Sequence, residues 1–152
     1  MAFKKFEEIE AWKLARELCK IVRILTEKGA FSKDWTLRNQ IRSSSGSVMD
    51  CIAEGHGRGN NNEFKYFLGI AKGSCDETRS QGYRALDYEY ISQIEFDELS
   101  SIANRTGAAI HGLIEYLNRT EIKGIRNKIT DAPQKKSIIQ DPNFPSEPPP
   151  GF

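Results

Sequence analysis

Apolar residues recur along this chain every three to four positions, in four separate stretches. Ala11, Leu14, Leu18, Ile21 and Leu25 make the first row, and Trp12, Ala15, Cys19 and Val22 make a second beside it. Two adjacent stripes form a wide apolar face, broader than a two-stranded coiled-coil seam. A first helix is predicted over about Glu8 to Lys28, ended by Gly29.

A second helix carries Leu37, Ile41, Ser45, Val48 and Ile52, with Ser32 or Asp34 as its N-cap. Its middle, Ser43-Ser44-Ser45-Gly46-Ser47, has poor helix propensity and would suit a loop. The apolar residues keep helical phase across it, which favours a helix whose small residues let a neighbour come close. This helix is expected to fray at Gly55, Gly57 or Gly59. Asn60 then caps a third helix, with Glu63 in the capping-box position. Phe64, Phe67, Leu68, Ala71, Cys75, Thr78, Gly82 and Ala85 mark its buried face. Gly69, Gly73 and Gly82 each cost about 1 kcal/mol in a helix, a cost consistent with close packing at all three.

The rhythm breaks at Tyr88-Glu89-Tyr90. Ser92 and Glu95 then make another capping box, and Ile91 and Phe96 occupy the two positions of a hydrophobic staple. A fourth helix follows through Leu99, Ile102, Thr106, Ile110, Leu113 and Leu117, with its end expected between Asn118 and Gly124. All six prolines fall within residues 133–152. The predicted architecture is all-α: an up-down-up-down four-helix bundle over residues 1–124, followed by a flexible, disordered Pro-rich C-terminal tail over 125–152. Leu18, Ile52, Leu68 and Leu113 are expected in the core.

Composition adds limits. The chain has 152 residues, 28% charged and 38% hydrophobic, with a net charge of +1. No apolar run reaches the ~18–20 residues of a membrane span, and the N-terminus has no apolar signal core. The expected location is the cytoplasm. Cys19, Cys51 and Cys75 lack paired ligand spacing and read as small buried hydrophobes. Residues 1–60 carry a net +3 and residues 61–120 a net −3.

Little of this suggests catalysis. His56 and His111 lie in different helical regions, without the carboxylate spacing of a metal site. The serine run has no identifiable base partner. Gly55-x-Gly57-x-Gly59 follows a helix rather than a strand and lacks the phosphate-loop lysine, so it reads as a turn needing positive φ. Glu54 and Arg58 stand four apart in the favourable order and would brace the corner, alone or with Glu63 or Glu77. No catalytic residue, metal or cofactor is expected. The best functional candidate is a basic stripe: Lys13, Arg16, Lys20 and Arg23 on the first helix, and Arg38 and Arg42 on the second. Glu10, Glu17 and Glu27 are near enough to neutralise part of it, so a plain solvated face is the competing reading.

The longer motifs resemble a known family. Phe6, Trp12 and Ala15 resemble its F…W…A opening, and Gln40-Ile41-Arg42 its Q-I-R. Ile52-Ala53-Glu54-Gly55-x-Gly57-Arg58 looks like its I-A-E-G-x-G-R signature. Glu63-Phe64 and Phe67-Leu68-x-Ile70-Ala71-x-Gly73-Ser74-x-x-Glu77 resemble its next helix. The resemblance, over roughly residues 6–120, is to a bacterial four-helix-bundle family. Its members include proteins encoded in intervening sequences of large-subunit ribosomal RNA genes. A related protein is the accessory factor of diversity-generating retroelements, which binds a reverse transcriptase and works with nucleic acid. The resemblance implies an intracellular bacterial protein that assembles as a homopentamer, and it makes Glu54, Gly55, Gly57, Arg58, Glu63, Phe64, Gly73 and Glu77 the structural motif. Two segments depart. Ser47-Val48-Met49-Asp50-Cys51 replaces S-I-P-A-N, which removes a proline and places an acid near the turn. Leu86-Asp87-Tyr88-Glu89-Tyr90 replaces L-G-Y-L.

Two functions follow as expectations. One is a non-enzymatic, homo-oligomeric bundle binding structured RNA through Lys13, Arg16, Lys20, Arg23, Arg38, Arg42 and Arg58. The other is an adaptor for another protein, a nucleic-acid-associated one included, that itself binds no nucleic acid and docks through Tyr66, Tyr83, Tyr88 and Tyr90 or through the tail. Ile24 and Ile70, which lie off the main stripes, are expected at a subunit interface.

Overall fold

Side-chain caps set the start of three of the four long helices. The structure, a computed structural model, describes residues 3–130, with side-chain detail over 3–121. A 3₁₀ turn at Phe6–Glu8 leads into α1, Glu10–Thr26, two residues shorter at each end than expected. A second 3₁₀ turn at Phe31–Lys33 precedes α2, Trp35–Gly57. Of the two candidate caps, Asp34 is the one used: its side chain accepts from the Leu37 N–H at 3.0 Å. α3 spans Asn61–Asp87, and Asn60 accepts from the N–H groups of Asn62 and Glu63. α4 begins at Gln93 behind a reciprocal box, Ser92 N–H to Glu95 at 3.0 Å and Glu95 N–H to Ser92 at 3.1 Å. Ile91 and Phe96, the staple pair, are both buried.

Each helix packs on two neighbours, α1 on α2 and α4, and α3 on α2 and α4. That is the up-down-up-down four-helix bundle. Its core contains Leu18, Ile41, Ile52, Phe64, Leu68, Leu99 and Ile110, all at 1% exposure or less. The serine run is helical, and its Ser44 and Ser47 line the α2–α3 seam. Ser44 Oγ donates to Gln81 Oε1 at 2.5 Å and lies 2.9 Å from Thr78 Oγ1, while Ser74 Oγ donates to Ser47 Oγ at 3.1 Å. Every one of these hydroxyls is thereby partnered, which a buried polar group needs.

Three local expectations change. α4 continues through Thr130 instead of ending between residues 118 and 124, so residues 125–130, assigned to the tail, are helical. Intrahelical bonding needs no core partner, so loss of the apolar pattern marks the end of packing and not the end of the helix. The rest of the expected tail, from 131 onward, lies outside the described residues.

The glycines also divide. At Gly82 an added Cβ would stand 2.8 Å from Leu99 Cδ2, so this one serves close packing as expected. Gly69 and Gly73 face open space within the chain. Near the corner, only Gly59 takes positive φ, +68°; Gly55 is needed because a Cβ there would meet Phe67 Cβ at 2.7 Å.

Candidate nucleic-acid interface

α1 and α2 run side by side, and their contact sets the geometry of the basic face. Thr26, fully buried at the end of α1, donates from Oγ1 to the Val22 carbonyl at 2.7 Å. The same oxygen accepts from Arg42 Nε at 2.8 Å. Farther along, Cys19 Sγ donates to the Ser45 carbonyl at 3.2 Å. These bonds place the outer residues of α1 opposite those of α2. Between them lies a shallow groove with Cys19, Ile24 and Met49 among its lining and Arg16, Lys20 and Arg23 at its edge.

Five of the seven expected contact residues lie along this groove or at its Thr26 end: Arg16, Lys20 and Arg23 on α1, and Arg38 and Arg42 on α2. Lys13 lies near the start of α1. Lys20 is ion-paired with Glu17 at 2.8 Å, and Arg23 with Glu27. Both pairs are exposed, and exposed pairs are worth at most about 1 kcal/mol, so a phosphate can displace the carboxylate. Among the described residues, Lys13, Arg16, Arg38 and Arg42 make no ion pair. The Arg42 guanidinium is held below its usual range, first by burial, then by the positive charges of Arg23 and Arg38, with Glu27 opposing. Arg42, held on Thr26 at the end of α1, thus lies within charge range of Arg23 on α1 and of Arg38 one turn away on α2.

Arg58 is not among them. It lies at the opposite end of α2, donates from Nη2 to Glu54 at 2.8 Å, and covers the Phe67 ring at 5.2 Å. The Glu54 pair is the brace expected at the corner. Glu63 is close enough to add to the attraction, but Glu77 is elsewhere, accepting from Gln81 at 3.2 Å well along α3. Within the rest of the motif, Gly55 and Phe64 are in mutual contact at the corner, Gly57 ends α2, and Gly73 is open.

One residue escaped the sequence reading. Trp35, the first residue of α2, is 66% exposed, and the Arg38 guanidinium lies over its ring at 4.0 Å. The signal was present: Trp35 directly follows the cap and precedes Arg38 by three positions, off the Leu37–Ile41 stripe. Among the tyrosines expected at a docking surface, Tyr66, Tyr83 and Tyr88 are exposed, but Tyr90 is half-buried and hydrogen-bonded. Ile24 and Ile70 are exposed as expected.

Other chemistry is sparse. Burial pushes the Cys75 thiol up to about 12, and burial also raises that of Cys19, so neither is a ready nucleophile at neutral pH. Among the described residues, no three metal-ligating side chains cluster, and no helix is long and apolar enough to cross a membrane. His56 Nε2 lies 3.0 Å from the Phe3 carbonyl, and His111 lies 3.3 Å from Glu115 on the same helix.

Comparison with known proteins supplies the family. A solved structure from Bacteroides thetaiotaomicron, described as a protein of unknown function from the S23 ribosomal protein family, shares the fold. It superposes with a TM-score of 0.59 at 18% identity, over 68% of this chain and 94% of its own. No curated protein matches the chain. The family described as 23S rRNA-intervening sequence protein matches residues 7–112, a span running from the first 3₁₀ turn well into α4. This chain belongs to the 23S rRNA-intervening sequence protein family.

Proposed function

We propose that the protein is a non-enzymatic, RNA-binding bundle whose α1–α2 face takes backbone phosphates. The observation that carries this is the Arg42–Thr26 bond, which sets Arg42 of α2 against the end of α1 that bears Arg23, with Arg38 one turn away on α2. Like charges held together repel, and a phosphate relieves that repulsion by standing between them. Arg16 and Lys20 continue the same edge along the groove, and Lys13 extends it by one turn. Arg58 drops out of the interface. The family name, with its tie to ribosomal RNA genes, agrees with RNA as the ligand. Self-assembly as a homopentamer in the cytoplasm completes the proposal, as the family resemblance implies. A ring would repeat the basic edge and multiply weak contacts.

The test is RNA binding by purified, nuclease-treated protein at several salt concentrations. Binding is expected to weaken steeply with salt. Replacing Arg16, Arg23, Arg38 and Arg42 together with Gln is expected to flatten the logarithmic salt slope by up to about 3, at ~0.7 per phosphate contact. An unchanged slope would reject this face.

A second reading is supported by Tyr66, Ile70 and Tyr83, all exposed on α3. Aromatic anchors of this kind suit a protein partner. Capture of one defined partner after nuclease treatment, with no RNA binding at low salt, would favour that adaptor role.

A further inference from the structure

We infer that Trp35 and Arg38 form a stacking site for an unpaired RNA base, placed so that Arg42 and Arg23 take the adjoining phosphates. The inference rests on the phosphate-binding reading above and names the kind of RNA it would select. Trp35, Arg38 and Arg42 fall at i, i+3 and i+7 of α2, which puts them on one side of the helix. Arg38 is anchored beneath: its Nη1 donates to the Ser32 carbonyl at 2.9 Å, and its guanidinium carbon lies over one face of the indole at 4.0 Å. Yet the ring remains 66% exposed, so its other face and its edge meet water.

An indole at the first position of a helix is not needed for the fold. Asp34 already caps α2, and Leu37 begins its buried stripe. The contact with Arg38 makes the ring rigid and cationic on one side, which favours stacking of an electron-rich, anionic-backbone nucleotide on the other. Paired bases inside an A-form helix keep their faces stacked on each other. A loop, bulge or single strand offers a free face. The site therefore selects unpaired RNA, while the phosphate edge alone would accept a duplex equally well.

The test compares a 12-nucleotide single-stranded RNA with the same strand annealed to its complement, followed by tryptophan fluorescence. The other tryptophan, Trp12, is buried against Phe6 at 5.0 Å and serves as the internal background. Single-stranded RNA is expected to quench the emission and bind more tightly. W35A is expected to abolish the quench and weaken single-strand binding about 5- to 100-fold, with duplex affinity unchanged and W35F retaining most of the single-strand binding. Circular dichroism of each variant checks that α2 is intact. Equal binding of both strands by the parent, or equal weakening of both by W35A, overturns the stacking site and leaves the phosphate edge standing. Failure of both RNAs to bind at low salt overturns the stacking site and the phosphate edge together. A change in assembly mass in W35A with RNA affinity untouched would assign Trp35 to a subunit interface and reject the inference.

Discussion

The Tyr90 hydroxyl donates to Asp34 Oδ2 at 3.0 Å, while Asp34 Oδ1 accepts from the Leu37 N–H at 3.0 Å. One carboxylate thus caps α2 and ties it to the α3–α4 turn, at the same end of the bundle as Trp35 and Arg38. The Leu37 N–H first, then the Tyr90 hydroxyl, hold the Asp34 carboxyl below its usual range. The same hydrogen bond, with burial and the carboxylate charge, pushes the Tyr90 phenol up. A lowered carboxyl contributes stability above its unfolded value, about 3.9, and loses it as pH falls through the folded value. A raised phenol contributes stability below about 10 and loses it as pH rises through the folded value. Thermal melts of the parent and Y90F from pH 2 to 11 are expected to differ most between those limits and to converge outside them. A gap that stays constant with pH would refute the linkage.

Glycine substitutions separate close packing from open surface. G82A places a methyl against Leu99, and G55A places one against Phe67 and 3.3 Å from the Phe64 carbonyl. Each is expected to cost about 1–3 kcal/mol in chemical denaturation. G69A and G73A meet nothing within the chain and are expected to stabilise an isolated subunit by up to about 1 kcal/mol through helix propensity. If G73A instead lowers stability and assembly mass together, that face is covered by another subunit.

Glu89 sits at φ +59°, where L side chains are strained. Its N–H bonds to the Leu86 carbonyl at 3.0 Å and the Tyr90 N–H to the Ala85 carbonyl at 2.9 Å, the Schellman pattern that usually places glycine here. E89G is expected to raise stability by about 0.5–1 kcal/mol. A loss on urea titration would mean that the glutamate side chain contributes more than its backbone costs.

The core residues differ in how much they should matter. Leu18, Ile52 and Leu68 are fully buried, so truncation to Ala is expected to cost about 2–5 kcal/mol. Leu113 is 9% exposed and borders the open groove formed with Phe3, Ile9 and Tyr116. L113A is expected to fall at the low end of that range, because the site already opens to water. Equal losses for all four would contradict this ranking.

Position along α2 separates two arginines that look alike in sequence. R42Q removes the guanidinium held on Thr26 beside Arg23 and Arg38 and is expected to weaken RNA binding several-fold. R58Q removes only the Glu54 pair and the cover over Phe67, and is expected to leave RNA binding within two-fold of the parent. Filter-binding titrations at one fixed low salt would show it, and equal losses would move the interface to the other end.

The four helices, and the starts of the second, third and fourth, were legible in the sequence because both are local properties; the first, which has no side-chain cap, begins two residues later than expected. An apolar residue every three to four positions defines a buried face within one helix. A cap such as Asp34, Asn60 or Ser92 satisfies N–H groups two or three residues away. The brace between Glu54 and Arg58 was readable for the same reason, since one helical turn brings them together. What tertiary structure alone decided is which helix ends and faces meet. It joined Arg42 to Thr26 across α1 and α2, and left Arg58 at the far end. It separated the packing glycines Gly55 and Gly82 from the open Gly69 and Gly73, because a clash depends on a neighbouring element. Among the described residues it left Trp35 exposed, with Arg38 on its face. Periodicity records how a residue is oriented on its own helix; proximity across helices arises only when the faces pack.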